Sequence, residues 1–238
     1  MTTTPARIAL IHALAHSIAP VNHELDRAWP GCVRMNLLDD SLSADLAASR
    51  DGLDAAMTAR FIALADYAIG TGVRGILFTC SAFGPCIDAV ALRWPGIPVL
   101  RPNEAMIADA SRIGRCIGLV ASFAPTLASM PAEFPASVSV LPALADGALD
   151  ALTAGDARLH DHLVVEAARR VAAKGCDVIA LAQFSLARAA SAVEHAVRVP
   201  VLTTVGSAVR LLYERVAKAR SAQSAAPPLA NPKGPRMT

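Results

Sequence analysis

Two stretches of this chain repeat each other at an offset of 103 residues (175 − 72). GVRGILFTC (72–80) laid on GCDVIALAQ (175–183) matches glycine to glycine and sets two apolar runs of equal length in register, with Cys80 falling on Gln183. IPVL at 97 answers VPVL at 199 after a one-residue gap, and IALIHA (8–13) lies on IGLVAS (117–122), pairing His12 and Ala13 with Ala121 and Ser122. A sequence with this self-similarity predicts two copies of one architecture.

The repeated runs also say which architecture. RIALIHAL (7–14), RGILFTC (74–80), IPVL (97–100), CIGLVAS (116–122), DVIALAQ (177–183) and VPVLTT (199–204) are continuously apolar, the pattern of strands covered on both faces in a parallel sheet. Between them lie amphipathic stretches such as GLDAAMTARFIALADYAIGTG (52–72) and DARLHDHLVVEAARRVAAKG (156–175), each ending near a glycine suited to a helix C-terminus. The pattern predicts an α/β protein of two similar Rossmann-like parallel-sheet halves, related by a pseudo-twofold axis, with a ligand cleft between them. The first half is expected over 1–100 plus 205–220 and the second over 101–204. Residues 221–238 carry four prolines with little periodicity and read as a disordered tail.

Composition narrows the function classes. Twenty-two basic against twenty acidic residues leave a net charge of +2 with no block of either sign, which gives no footprint for nucleic acid. No apolar stretch approaches the roughly 18 residues that a membrane span needs. The five cysteines are odd in number, widely spaced and free of any C-x-x-C pair, as expected in a reducing cytoplasm. The run after the start is cut by His12, so it reads as a first strand and not a signal peptide. No glycine-rich phosphate motif is present, and HALAH (12–16) offers two histidines without an evident third metal ligand, so neither cofactor nor metal is expected. Alanine-rich helices permit close packing in a homodimer or higher homo-oligomer.

In open α/β sheets, ligands bind beyond the carboxyl ends of strands, near helix N-termini that favour anions. Cys80 stands at such an end, before a Ser-Ala-Phe-Gly turn whose amides are expected to favour the thiolate; the alternative is a small apolar filler. Ser81 and Phe83 open the same loop, where the hydroxyl and backbone N–H groups can hold a carboxylate or simply cap the helix. In the other half, Gln183 and Ser185 follow an apolar strand and can donate to an enolate or a second carboxylate. His12 ends the first strand next to the expected cleft, and Thr203 and Thr204 end the last. Arg101 reads as a solvated loop charge that could also pair with an anion. Cys32, Cys86, Cys116 and Cys176 read as structural.

On GVRGILFTCSAFG (72–84), GLVASFAPT (118–126) and VPVLTT (199–204), the chain resembles the aspartate/glutamate/hydantoin racemase superfamily, which also includes arylmalonate decarboxylase and maleate isomerase, over most of residues 7 to 215. The resemblance implies a cofactor-free enzyme in which two cysteines, one from each half, flank the α-carbon of a small carboxylate, one removing a proton and the other returning it on the opposite face. It implies Cys80 as the catalytic residue, with Ser122 and Thr126 joining His12, Ser81, Phe83, Gln183, Ser185 and Thr204 around the substrate. One departure is plain: Gln183 fills the second cysteine position, and an amide exchanges no proton usefully at neutral pH. Arylmalonate decarboxylase implies a single-cysteine site of the opposite hand, the second thiol being kept there. One thiol suits protonation of an enolate left by decarboxylation, one-sided tautomerisation, or covalent addition to an activated alkene or carbonyl. The expectation is therefore a racemase- or isomerase-type enzyme, with a single-cysteine decarboxylase of a malonate-like acid or a non-catalytic carboxylate-binding protein as alternatives.

Overall fold

Strands that are apolar along their whole length need helices on both faces, and the computed structural model, which describes residues 5–50 and 52–225, supplies them. The order is β1 (Arg7–His12), α1 (Ile18–Ala28), β2 (Val33–Leu38), α2 (Ser41–Ala48), α3 (Ala55–Gly70), β3 (Gly75–Phe78), α4 (Gly84–Arg93), β4 (Val99–Leu100) and α5 (Glu104–Ile113). It then repeats: β5 (Cys116–Ala121), α6 (Ala124–Ser129), β6 (Ser139–Leu144), α7 (Ala148–Thr153), α8 (Ala157–Ala172), β7 (Val178–Leu181), α9 (Ala190–Ala196), β8 (Val201–Thr203) and α10 (Thr204–Ala225). Short 3-10 turns stand at Ala15–Ser17, Ser81–Phe83, Met130–Glu133 and Phe184–Ala189.

Eight strands form two parallel four-stranded sheets, β2-β1-β3-β4 and β6-β5-β7-β8. Their registers repeat as well. Ile11 pairs with Phe78 as Val120 pairs with Leu181, and Ile76 pairs with Val99 as Ile179 pairs with Val201. Asp54 caps α3 by accepting from Met57 N at 2.7 Å, and Asp156 caps α8 by accepting from Leu159 N at 2.9 Å. Gly72 and Gly175, which leave those helices, have φ of +81° and +87°, a left-handed backbone that a side chain would strain. The two-half α/β fold with one strand order in both halves agrees with the reading of the repeat.

Two strands escape the apolar-run pattern. β2 and β6 are the outer strands beside β1 and β5, half-exposed along their length, so they carry Arg34, Asn36 and Pro142 among the apolar residues. At the other end, α10 continues through Ala225, so residues 221–225 are helical and not the start of a tail; 226–238 lie outside the described residues.

The last helix of each repeat packs on the opposite sheet. Met106, Ile107 and Ala110 of α5 bury against Ile117, Leu119, Val178 and Ala180 of the second sheet. Val205, Ala208, Val209, Leu212 and Val216 of α10 bury against Ile8, Leu10, Leu77 and Leu100 of the first. The crossover brings the two sets of strand ends into contact: Phe184, just past β7, is buried in the first-half cluster with Leu10, Val21 and Val205.

Candidate active site

β1 and β3, the central strands of the first sheet, deliver His12, Thr79 and Cys80 at their carboxyl ends. Thr79 N donates to Ile11 O at 3.0 Å, extending the ladder by one residue, and Cys80 follows in extended backbone before the 3-10 turn at 81–83. Gln183 occupies the matching place: Ala182 N donates to Val120 O at 2.9 Å, and Gln183 is extended before the turn at 184–189. Both side chains are half-buried.

The two sites treat protons differently. Cys80 packs against the first-half core, and burial pushes its thiol above the usual range, a shift that a hydrogen bond from Ala82 N–H only partly offsets. The expected thiolate is thus corrected to a neutral thiol: one amide does not outweigh desolvation. Phe83 belongs to the same core cluster. It is fully enclosed and tilted against Phe61 at 4.9 Å between ring centroids, so its ring belongs to the core and not to a substrate contact. Ser81 is exposed at the mouth of this turn.

Gln183 is anchored by its oxygen. Oε1 accepts from Ser122 N at 2.7 Å and from Ser122 Oγ at 3.0 Å. A backbone N–H can only donate, so the atom facing it is the carbonyl oxygen, and the Nε2 amide is left with two N–H groups and no protein partner among the described residues. Ser122 is thereby a positioner: it is buried and its donors are spent on Gln183. Thr126 is buried in the first turn of α6, its N–H donating to Phe123 O at 3.1 Å.

His12 is fully buried with both ring nitrogens engaged, Nδ1 with Thr79 Oγ1 at 3.0 Å and Nε2 with Asn36 Oδ1 at 3.1 Å. Asn36 Oδ1 only accepts, so Nε2 carries the proton and Nδ1 accepts from the threonine hydroxyl. Burial lowers its pKa, partly countered by Asn36, which keeps it neutral. In place of the expected substrate contact, the ring pins the residue that precedes Cys80. Thr204 likewise has no exposed surface; its hydroxyl donates to Leu181 O at 2.8 Å and ties β7 to α10. Ser185 is separated from Gln183: it lines an open groove of about 1220 Å³ between α1 and residues 185–213, which includes His16 and Thr203 but neither Cys80 nor Gln183.

Two charged residues complete the surroundings, Arg101, which the sequence pattern marks as a loop charge, and Glu133, which it does not single out. Arg101 donates Nε to Asp88 Oδ1 at 2.7 Å and pairs Nη2 with the same carboxylate, while Nη1 lies 3.6 Å from where a Cβ on Gly84 would stand, beside the Cys80 loop. Glu133, on the turn after α6, has its carboxyl raised by burial, with Arg101 and Asn103 pulling it partly back. Among the described residues no group of three His, Cys, Asp or Glu side chains could hold a metal ion, and no helix is long and apolar enough to cross a membrane. All five cysteines are free; Cys32, Cys86 and Cys176 are buried.

The profile of the Asp/Glu/hydantoin racemase family matches residues 18–212. No curated protein sequence matches the chain. Among solved structures, the fold is similar to that of allantoin racemase from Klebsiella pneumoniae, at 19% identity and a TM-score of 0.66 over 90% of this chain and 88% of that one. It is similar to an aspartate racemase homologue from Pyrococcus horikoshii, at 15% identity and 0.69 over 89% and 99%. It is also similar to arylmalonate decarboxylase, at 17% identity and 0.62 over 88% and 92%.

Proposed function

The chain belongs to the Asp/Glu/hydantoin racemase family, and from that premise we propose that it is a cofactor-independent racemase- or isomerase-type enzyme that moves a proton at a carbon of a small carboxylate through the thiol of Cys80. The observation that supports this most directly is a half-buried thiol at the end of a central strand, matched in the other half by an anchored amide with free N–H groups. When an enolate carbon faces Cys80, the S–H bond breaks and a C–H bond forms; the thiolate left behind recovers its proton from solvent or takes one from the next substrate. Gln183 Nε2–H donates to the enolate oxygen, fixed in direction by Ser122 and needing no reorientation as charge develops. Ser81, the amides of the 81–83 turn and Arg101 Nη1 hold the carboxylate.

A second reading, a decarboxylase of a malonate-like acid, draws on two features: burial raises the pKa of the Cys80 thiol, and its counterpart in the other half is an amide. There the bond from carbon to one carboxylate breaks, carbon dioxide leaves, the electron pair stays as an enolate, and Cys80 protonates it. The test is deuterium uptake at the α-carbon of D- and L-aspartate and glutamate in D₂O, beside carbon dioxide release from substituted malonates. Replacing Cys80 by Ala is expected to lower whichever rate is found by about 10²–10⁴-fold. Saturable malonate binding with neither reaction, and with no protection of Cys80 from iodoacetamide, makes the protein a carboxylate binder and ends the enzymatic reading.

A further inference from the structure

A symmetric reaction at carbon needs a proton acceptor on each face, and the second half holds an amide where the second thiol would stand. The described residues contain one fully buried imidazole in that half. His160, near the start of α8, has no exposed surface, and its Nε2 is enclosed without a hydrogen-bond partner. Buried polar atoms are rarely left so, and this one calls for an explanation.

Its place follows from the packing of α8. Val171 Cγ1 lies 2.9 Å from where a Cβ on Gly118, in the middle of β5, would stand. Going back along the helix to His160 covers roughly 16 Å at about 1.5 Å per residue. The strand from Gly118 to Ser122 covers roughly 13 Å at about 3.3 Å per residue. His160 is therefore level with the carboxyl end of β5. Leu163 confirms the level: its Cδ1 is 3.7 Å from a Cβ position on Gly147, in the loop just past β6. The face is fixed too, because His160 precedes Val164 by four residues, and Val164, Ala167, Ala168 and Val171 bury against Val120, Leu181 and Leu186. The ring thus faces inward at the strand ends where Ser122 and Gln183 sit.

The other ring nitrogen is held. Nδ1 lies 2.8 Å from Asp161 Oδ1, and Arg188, from the turn that begins after Gln183, donates Nε to Oδ1 at 2.8 Å and Nη2 to Oδ2 at 3.2 Å. Burial would raise the Asp161 carboxyl, but Arg188 and His160 outweigh it and keep it ionised. A carboxylate only accepts, so Nδ1 carries the ring proton and Nε2 presents a lone pair.

We infer that His160, oriented by Asp161, is the proton-handling group of the second half, reached through a water molecule held at the Ser122–Gln183 end of the strands. The inference rests on the reading of Cys80 as the proton carrier of the first half. In one direction the C–H bond on the Gln183 side breaks, its proton passes to the water while a proton of that water passes to Nε2, and the electron pair stays on the substrate as the enolate. Cys80 then gives its S–H proton to the opposite face. The reverse sequence starts at the Cys80 thiolate and ends with the imidazolium returning its proton through the same water. Asp161 balances the imidazolium and Arg188 holds Asp161.

The test has two arms, both on the full chain. Long-range ¹H–¹⁵N spectra of the wild type are expected to show His160 protonated on Nδ1 with Nε2 bare, and 20 mM malonate is expected to shift Nε2; a proton on Nε2, or no shift on saturation with malonate, overturns the inference without reference to turnover. The second arm follows deuterium exchange from each antipode of aspartate and glutamate. His160→Gln and Asp161→Asn are expected to lose exchange from one antipode by at least tenfold while keeping it from the other, and Cys80→Ser to show the opposite pattern. If Cys80→Ser shows that one-sided loss and His160→Gln slows both antipodes equally or neither, the inference fails while the reading of Cys80 stands. If Cys80→Ser changes nothing, that reading fails, and the spectra alone decide for His160.

Discussion

A thiol that accepts one amide and is otherwise packed against apolar side chains keeps its proton at neutral pH, and this separates Cys80 from an activated nucleophile. Alkylation by iodoacetamide at pH 7.5, followed by peptide mass spectrometry, is expected to be slower at Cys80 than for a free thiol, to rise steeply above pH 9, and to fall further with malonate present. Fast alkylation at neutral pH would show a resting thiolate. His12, one strand over, gives a second pH signature. Burial sets its native pKa below the ordinary 6.5, so above about pH 6.5 the ring is neutral in native and unfolded chains alike. As pH falls from there toward the lowered native value, the unfolded chain takes up a proton that the native one refuses, and stability declines by at most about 1.4 kcal/mol per pH unit for one group. Urea midpoints between pH 5 and 7.5 are expected to show that slope, and His12→Asn to flatten it. The alignment of the repeats marks Cys80 and Gln183 as equivalents. It is blind to where hydroxyls point: Ser122 turns to Gln183 and Thr204 to Leu181, choices made by contacts more than twenty residues away in sequence.

Elements buried on both faces were readable because burial imposes composition. β3 and β7 are enclosed along all four residues, and both stand out as unbroken apolar runs. β2 and β6 are half-exposed at the sheet edges, where exposure lets polar residues in and dissolves the signal. The first turn of α10 is likewise silent, since Thr203 and Thr204 read as strand until Thr203 Oγ1 is seen to cap the helix by accepting from Gly206 N at 3.0 Å. How closely a helix presses on its sheet leaves one trace, a glycine within a strand. A Cβ on Gly75 would stand 2.9 Å from Val216 Cγ2 and 3.0 Å from Leu212 Cδ1 of α10. Gly75→Ala is therefore expected to cost about 1–3 kcal/mol through overpacking, read as a lower urea midpoint with unchanged slope. A neutral outcome would show that α10 rides more loosely on β3.

At the scale of the whole molecule, duplication explains both the shape of the site and its asymmetry. Two equivalent halves supply two equivalent strand ends, and a thiol at one with an amide at the other leaves a symmetric scaffold with a thiol on one side only. The exchange of α5 and α10 makes the halves inseparable, because each sheet lacks cover on one face without the other repeat's last helix. A buried carboxylate locks the two helices together: Asp109 of α5 accepts from Ser207 Oγ at 2.7 Å and pairs with Arg210, both on α10, and with Arg112 of its own helix. Burial would raise the Asp109 carboxyl, but these three partners outweigh it and hold it below the ordinary 3.8. Its contribution is thus present above that pH and is lost as the solution is acidified below it. Because neither half closes its own core, urea unfolding is expected as a single transition, with fluorescence and circular dichroism coinciding. A chain ended after Thr203 would leave Ile8, Leu10, Leu77 and Leu100 uncovered; it is expected to lose that cooperative transition and to bind a hydrophobic dye in buffer. Asp109→Asn, which keeps the volume and removes the charge, is expected to cost about 1–3 kcal/mol of stability, read as a lower urea midpoint, while preserving one transition. Two separated transitions in the full-length chain, or a truncated chain that still melts cooperatively, would mean that each sheet is covered by its own repeat after all.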